Sequence, residues 1–336
     1  MNCACGRRHF LIGGSAAALF GASGAQAAGK PRRIDVHHHI VPPVWLEALK
    51  AAKQSNPIIE GWTPAKSLED MDKAGITTAM VSPTLPQVGF LPAAEAARVA
   101  RASNEWACKL ATDHPGRFGV FAMLPMPYVD ESLKEIAYAF DTLKVDGIGM
   151  MTNYGDKWLG YDEFSPVFQE LNRRKVVVYT HPTSANCCVN LVKGVSDAAI
   201  EYGADTTRTI TNLIFSGAAA KSPDISFIFS HGGGVLSSVA ERLRIQMVNT
   251  PPHKGKFTRE MVDHELKRFF YDTAQVSNDV TIEAVAKLVG VSQIVFGTDY
   301  PYRTGVEHVS GLKQRFKARD LAAIDSGNAL RILKRF

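Results

Sequence analysis

The chain contains 336 residues, of which 46% are hydrophobic and 21% are charged, and its formal net charge is +5. This length and apolar content are sufficient for one large soluble domain, and single α/β barrels reach this size. The charge is modest, and no dense basic patch with interleaved aromatic residues occurs, which argues against nucleic acid as a partner.

The first residues predict an export signal rather than part of the fold. Arg7 and Arg8 precede a weakly hydrophobic run at 12–22, and Ala-Gln-Ala at 25–27 is a small-x-small cleavage pattern. This order resembles a twin-arginine signal, and the run is too short for a stable membrane span. We therefore expect a signal peptide at 1–27, a folded domain at 28–336 and a periplasmic mature protein. The alternative is a disordered tail rich in alanine and glycine.

The folded part opens with a predicted strand that carries three adjacent histidines. On a strand, successive side chains point to opposite faces. Within 33–40, Asp35, His37 and His39 are therefore expected on one face and His38 on the other. Two imidazoles two residues apart can bind one metal ion together, although a single His-x-His pair is a weak indication.

Seven further segments have the short apolar character of buried strands. The eight predicted strands are 33–40, 77–83, 118–125, 145–151, 176–182, 226–232, 269–274 and 294–300. Helical patterns lie between them, in a segment that Ser67 is expected to cap and then at 93–114, 130–143, 166–175, 236–248 and 282–289. Strands that alternate with helices predict a (β/α)8 TIM barrel, whose active site lies at the carboxyl ends of the strands.

Three of the later strands end in a side chain that can bind a metal. His181 ends the fifth strand, His231 ends the sixth and Asp299 ends the eighth. Each residue alone has an ordinary explanation as a buried histidine or a turn residue. Together with the histidines of the first strand they bring metal-binding groups to one end of the barrel, and we expect a metal site there.

The same segments carry a family resemblance. The motifs Ile-Asp-Val-His-His-His, Thr-His-Pro, Ser-His-Gly-Gly-Gly and Gly-Thr-Asp-Tyr-Pro resemble the amidohydrolase superfamily, and more narrowly its aminocarboxymuconate-semialdehyde decarboxylase-like branch. The segment 205–209 is similar to one in the 6-methylsalicylate decarboxylases of that branch. The resemblance implies catalytic roles for His231 and Asp299. The metal ligands that it implies are His37, His39, His181 and Asp299.

The resemblance also implies a cofactor and an assembly. Members of this branch are commonly zinc or manganese enzymes and often dimers, so we expect one divalent ion, Zn²⁺ before Mn²⁺, and a homodimer. Binuclear amidohydrolases use a carboxylated lysine at the end of the fourth strand. The segment 147–153 contains no lysine, which indicates a mononuclear site.

Two arginines are candidate substrate-binding residues. The resemblance implies that Arg242 reaches the substrate carboxylate in the partner subunit, and an exposed helix charge is the alternative. Arg208 is expected either to anchor the substrate or to cap a helix. The branch carries another carboxylate-binding arginine after the first strand, where this chain has only Lys50, Lys53 and Lys66. That difference favours a simpler aromatic acid.

The predicted reaction is a metal-dependent, non-oxidative decarboxylation of a small hydroxyaryl or related conjugated carboxylic acid. A metal would orient the carboxylate, and an imidazole with a pKa near neutrality would move the proton. The sequence leaves open whether Asp299 or a metal-bound water delivers that proton. The alternatives are a metal-dependent hydrolase of a lactone or similar ring and a non-catalytic periplasmic metal-binding protein. The five cysteines are expected to be mostly free.

Overall fold

Eight parallel strands form the centre of the fold. The computed structural model describes residues 32–336. Within them the strands of the main sheet are Ile34–His39 (β1), Thr78–Ser82 (β2), Phe118–Met123 (β3), Gly147–Met151 (β4), Val177–His181 (β5), Ser226–Phe229 (β6), Phe270–Asp272 (β7) and Ile294–Val295 (β8). They pair in that order, each parallel to the next, which confirms the predicted (β/α)8 barrel. The N-terminal prediction for 1–27 lies outside the described residues.

Backbone hydrogen bonds between β1 and the residues that follow β8 close the barrel. The N–H of Val36 donates to the carbonyl of Phe296 at 2.9 Å, and the N–H of Asp299 donates to the carbonyl of His37 at 2.8 Å. The eighth strand ends at Val295 and is much shorter than the predicted 294–300, and beyond it Asp299 has a left-handed backbone with a φ of 65°. This turn brings the Asp299 side chain beside β1.

Helices follow most of the strands. Those described are Pro43–Ala51 (α1), Pro57–Glu60 (α2), Pro64–Ala74 (α3), Ala93–Asp113 (α4), Val129–Tyr138 (α5), Ser165–Arg174 (α6), Asp197–Phe215 (α7), Ala218–Lys221 (α8), Leu236–Arg242 (α9), Arg259–Arg268 (α10), Thr281–Val289 (α11), Gly305–Lys313 (α12), Ala318–Ala322 (α13) and Asn328–Leu330 (α14). Three of them, α5, α9 and α13, continue into π-helical turns at Ala139–Leu143, Leu243–Met247 and Ala323–Gly327. No helix within 32–336 is long and apolar enough to cross a membrane.

The predicted helices are present, one of them begins earlier than predicted, and several further helices were not predicted. Thr63, rather than Ser67, caps α3 by accepting a hydrogen bond from the N–H of Lys66 at 3.3 Å. Ser67 lies inside the helix, where its hydroxyl contacts the ring of His38 at 2.9 Å. The long helix α7 was not predicted as an element, because threonines at 206, 207, 209 and 211 have low helix propensity and hide its periodicity.

The inside of the barrel is filled by a separate apolar cluster. Ile34 and Val36 of β1 belong to it, together with Val177 and Tyr179 of β5. Side chains two residues apart on a strand share a face, so the inward column of β5 continues to His181 at its carboxyl end. His181 therefore lies directly after the packed interior residues of β5, at the carboxyl end of the barrel.

Strand β1 departs from the simple alternation that its sequence predicts. Its pairing with β2 shifts register between Asp35 and His38. Such a bulge lets neighbouring residues share a face. Val36 consequently points into the barrel. Asp35 does not share the face of His37 and His39, and its Oδ2 instead lies 3.0 Å from Nδ1 of His38. The predicted common face of the two metal-binding histidines is retained, but Asp35 does not belong to it.

The cysteine prediction was wrong at one place. The sulfurs of Cys187 and Cys188 are joined in a disulfide in the loop after β5. Cys108 is free and half-buried in α4. Adjacent cysteines carry no spacing signal for a bridge, so the sequence could not indicate this pair.

Candidate metal centre and active site

Three imidazoles and one carboxylate converge at the carboxyl end of the barrel. One ligand atom from each of His37, His39, His181 and Asp299 lies within 4.8 Å of all the others. The Nε2 atoms of His37 and His39 are each 3.1 Å from Oδ1 of Asp299, and Nε2 of His181 is 3.9 Å from it. The structure therefore brings together all four residues that the sequence assigned to a metal site.

The hydrogen bonds of the three imidazoles favour metal binding. Nδ1 of His37 donates to Oδ2 of Asp272 at 2.7 Å. Nδ1 of His39 faces the carbonyl of Ser82 at 3.3 Å, and Nδ1 of His181 faces the carbonyl of Pro182 at 2.9 Å. With each Nδ1–H occupied by an acceptor, each Nε2 is left to offer its lone pair to the common centre. Three such nitrogens and a carboxylate oxygen fit one divalent ion of the zinc or manganese type.

Burial and charge set the protonation of these groups. Burial lowers the pKa of His181 to about 3, which keeps its ring neutral. Burial alone would raise the pKa of Asp299, but the charge on His37 and the neighbouring imidazoles of His181 and His231 hold it well below its usual range. For His37, burial lowers the pKa, yet the carboxylates of Asp272 and Asp299 outweigh it and raise the value to about 10. A bound cation would take the place of that proton.

Asp272 connects three strands around this cluster. Besides holding His37 through Oδ2, it accepts hydrogen bonds through Oδ1 from the backbone N–H of His231 at 2.8 Å and of Ala274 at 3.0 Å. One buried carboxylate at the end of β7 thus orients a metal-binding ring on β1 and the backbone at the end of β6. No sequence motif indicates these partners of Asp272.

His231 faces the cluster from a strained turn. Its φ is 53°, and Nε2 lies 3.4 Å from Oδ2 of Asp299. Within the described chain this buried Nε2 has no hydrogen-bond partner. The turn continues through Gly234, where a Cβ atom would lie 2.0 Å from the carbonyl oxygen of Gly203. Only glycine fits that approach, so the turn after His231 requires glycine at this position.

A cavity of about 470 Å³ opens directly above these groups. The described residues that line it are Gln54, Asn56, Ile59, Leu85, Pro86, His181, Ala198, Tyr202, His231, Gln275, Asp299 and Tyr302. This size suits one small organic ligand. No lysine or arginine is among these lining residues.

Sequence reasoning missed the polar walls of this cavity. Gln54 and Asn56 follow α1, in the loop where an arginine was expected, while Gln275 follows β7 and Tyr302 follows β8. None of the four belongs to a spacing motif. The only available signal was position, since loops after barrel strands form the active-site face.

The two candidate arginines do not line the described cavity. Arg208 pairs through Nη1 with Glu201 at 3.0 Å and lies 3.9 Å from Asp205. Asp205 itself accepts a hydrogen bond from the indole of Trp158 at 2.7 Å, so this part of α7 is tied to the segment after β4. Arg242 is the exposed last residue of α9. Substrate binding by either arginine stays a prediction.

Comparison with known proteins agrees with this geometry. The family model described as amidohydrolase matches residues 34–335. The chain is 36% identical over 287 residues to decarboxylase yanB of Aspergillus niger, covering 80% of this chain and 77% of that protein. It is 33% identical over 313 residues to 6-methylsalicylic acid decarboxylase acuB of Aspergillus aculeatus, covering 90% and 93%.

A solved structure shows the same fold. It is 5-carboxyvanillate decarboxylase from Novosphingobium aromaticivorans, complexed with manganese and 4-hydroxy-3-methoxy-5-nitrobenzoic acid. The TM-score is 0.80 at 18% identity, and the match covers 90% of this chain and 96% of that one. At this identity the likeness concerns the fold.

Proposed function

Because the chain belongs to the amidohydrolase family, we propose that it is a metal-dependent, non-oxidative decarboxylase of a small hydroxyaryl carboxylic acid. The observation that carries this proposal is the position of His231. Its unpartnered Nε2 opens into the cavity beside the three-histidine, one-aspartate cluster. A protein that only stores metal requires neither an additional imidazole beside the ligands nor a cavity large enough for an organic molecule.

The substrate class follows from the cavity and from the relatives. Ile59, Leu85 and Pro86 give it an apolar wall that suits a ring with an alkyl substituent. The described lining offers no second cationic group, which suits an acid with a single carboxylate. The relative from Aspergillus aculeatus is named for 6-methylsalicylic acid, and we propose that acid or a close analogue as the substrate.

The chemistry requires a proton on the ring carbon that carries the carboxylate. A bound divalent ion would hold the carboxylate and the neighbouring hydroxyl oxygen and offset their negative charge. His231 would give the proton of Nε2 to Oδ2 of Asp299, 3.4 Å away, which would pass it to the ring carbon, and His231 would then regain a proton from solvent. Once the ring carbon is protonated, the ring has lost its aromaticity. Cleavage of the bond to the carboxylate restores that aromaticity and releases CO₂.

The test is product analysis of the metal-loaded protein with 6-methylsalicylate and a panel of hydroxybenzoates. We expect release of one CO₂ per phenolic product. A ring-opened acid from a lactone panel, with no CO₂ from any hydroxybenzoate, would identify a hydrolase instead. No product from either panel, with full metal content, would identify a metal-binding protein without this activity.

We propose Zn²⁺ as the resident ion, with Mn²⁺ as the alternative. Three neutral imidazoles and one carboxylate are ligands that zinc commonly takes. The 5-carboxyvanillate decarboxylase structure carries manganese, so the identity of the ion in this chain has to be measured directly. Elemental analysis of protein purified without added metal identifies the ion, and we expect one equivalent per chain.

We propose a homodimer in which Arg242 contributes to the partner's site. Its support is a group of exposed apolar side chains in the segment before α7, in the first turn of α7 and just before α9, namely Val189, Leu191, Val192, Val195, Ile200 and Val235. Val235 is tied to α7 through its N–H, which donates to the carbonyl of Gly203 at 3.3 Å. Apolar side chains grouped in this way are typical of protein interfaces. Light scattering should give twice the chain mass, and Arg242→Ala should raise KM more than it lowers kcat.

We propose export by the twin-arginine pathway, on the basis of Arg7, Arg8 and the apolar run after them. This segment lies outside the described residues. Changing both arginines to lysine keeps the charge but removes the twin-arginine motif, so the precursor should accumulate in the cytoplasm. Unchanged delivery of a mature form beginning near Ala28 would rule out this route.

A further inference from the structure

The two oxygens of Asp299 have different neighbours. Oδ1 lies 3.1 Å from Nε2 of both His37 and His39, in the centre of the metal cluster. Oδ2 accepts a hydrogen bond from the side-chain amide of Gln275 and lies 3.4 Å from Nε2 of His231. The carboxylate therefore turns one oxygen to the metal ligands and the other to the residue that moves the proton.

Gln275 is itself held in an unusual conformation. Its φ is 58°, in the left-handed region that costs free energy for a residue with a side chain. Its backbone N–H donates to Nε2 of His308 at 2.9 Å. Nδ1 of His308 faces the carbonyl of Thr304 at 2.8 Å, so the ring donates there and its Nε2 is left as the acceptor.

His308 sits in α12, the helix that follows β8 and Asp299 along the chain. It is 1% exposed and does not line the cavity, so it cannot meet the substrate directly. Its contact with the backbone of Gln275 links α12 to the turn after β7. The path from His308 to Asp299 runs through the Gln275 side chain.

We propose that Gln275 is a positioning residue that fixes Asp299 as a ligand through Oδ1 alone and keeps Oδ2 available to His231. A carboxylate can bind a metal through one oxygen or through both, and its terminal torsion is soft. The amide of Gln275 removes that freedom by holding Oδ2 outside the metal cluster. His308 acts through Gln275 by securing its strained backbone. The consequence for turnover rests on the proposed function, whereas the consequence for metal geometry does not.

The main experiment uses Gln275→Met, which keeps a similar side-chain volume but removes the donor. The visible absorption of the Co²⁺-loaded protein, recorded without substrate, reports the number and arrangement of metal ligands. We expect one equivalent of Co²⁺ in both proteins and an altered spectrum in the variant, because Asp299 can turn both oxygens to the ion. With substrate, kcat should fall about 10- to 100-fold, the scale for a residue that orients a ligand, while KM changes less than about twofold.

The control is Gln314→Met, which makes the same chemical change at an exposed position after α12. It should keep the parent spectrum and the parent kcat. If Gln275→Met also kept the parent spectrum, the proposal would be overturned, whatever happened to turnover. If the parent itself released no CO₂, the proposed function would fail, and the spectrum would still decide the role of Gln275.

A second pair of variants tests His308. His308→Phe keeps a ring but removes the acceptor, and it should shift the Co²⁺ spectrum in the same direction as Gln275→Met. Combined with Gln275→Met it should lower kcat no further than Gln275→Met alone, because both changes act on one contact. His308→Gln, which offers an acceptor again, should move the spectrum back towards the parent. Fully multiplicative losses in the double variant would show that His308 does not act through Gln275.

Discussion

Four histidines surround Asp299, and their remaining contacts separate their roles. His37, His39 and His181 each have Nδ1 against an acceptor and Nε2 turned to the shared centre. His231 instead is placed by the turn after β6 and faces the second oxygen of Asp299. The contacts of the first three suit binding of one ion, whereas those of His231 agree with its proposed role in proton transfer.

This difference predicts contrasting effects of two alanine substitutions. His231→Ala should retain one metal ion per chain and lower kcat by about 10²-fold or more, the usual scale for loss of a general acid–base group. His181→Ala should lose both metal and activity, because it removes a ligand from the cluster. Elemental analysis beside CO₂ release compares the two purified proteins. Equal metal loss in both would mean that His231 is a ligand.

The backbone at the site is also unusual. His231, Gln275 and Asp299 follow three neighbouring strands, and their φ values are 53°, 58° and 65°. Non-glycine residues adopt this region rarely and at a cost of about 1–3 kcal/mol each. Clustering of three such residues around one cavity indicates that the fold holds these side chains in place at the expense of stability.

Among the elements, the bulge in β1 has the largest effect on the site. It turns Asp35 and His38 together away from the cavity, and Asp35 then accepts hydrogen bonds from the Thr298 hydroxyl at 2.6 Å and from the N–H of Thr298 at 3.1 Å. These bonds connect the outer side of β1 to the residue before Asp299. The same buried aspartate therefore contacts both His38 on β1 and the residue before Asp299.

Helix α6 carries an ion-pair group that gives a pH-dependent contribution to stability. Hydrogen bonds from Arg173 at 2.7 Å and from Arg174 at 2.5 Å lower the pKa of Glu170 to about 2. Arg174 also pairs with Asp141 at 2.7 Å, in the π-helical turn after α5. The group therefore joins two consecutive helix segments on the outside of the barrel.

The expected effect of Glu170→Gln follows from the lowered pKa. A carboxylate with a lowered pKa stabilises the fold above its unfolded value near 4.5, and this contribution is lost as the pH falls towards 2. At pH 7 the variant should lose roughly 0.5–1 kcal/mol in the free energy of unfolding, since solvent screens these partly exposed pairs. Urea unfolding at pH 7 and pH 3 measures the difference, which should shrink at the lower pH. A constant difference would assign the loss to packing.

For the whole molecule, the metal cluster should contribute to stability as well as to chemistry. Its ligands come from β1, β5 and the segment after β8, so an ion would bridge parts of the chain that are distant in sequence. At free metal about 100 times Kd, binding to the folded state alone adds about 2.7 kcal/mol. Chelation should therefore lower Tm by roughly 5 °C, and adding the ion back should restore it. Calorimetry with and without chelator checks this, and an unchanged Tm would mean that the cluster does not bind the ion tightly.

The sequence by itself determined the barrel, the family and the four metal-binding residues. The short apolar runs before His181, His231 and Asp299 predict three strands, each followed by a side chain that can bind a metal or a proton. Both features can be predicted because they depend only on residues that are neighbours in the chain. The decarboxylase prediction agrees with the names of the curated relatives. The family motifs also singled out His231 without any knowledge of its surroundings.

Tertiary structure alone decided which groups support these residues. The bulge in β1, the left-handed turns at Gln275 and Asp299, and the partners of Asp272 depend on contacts between strands that are far apart in the chain. The polar cavity wall came from Gln54 and Asn56, which carry no motif. Register shifts and loop contacts are set by how the closed barrel packs, and no local pattern encodes them.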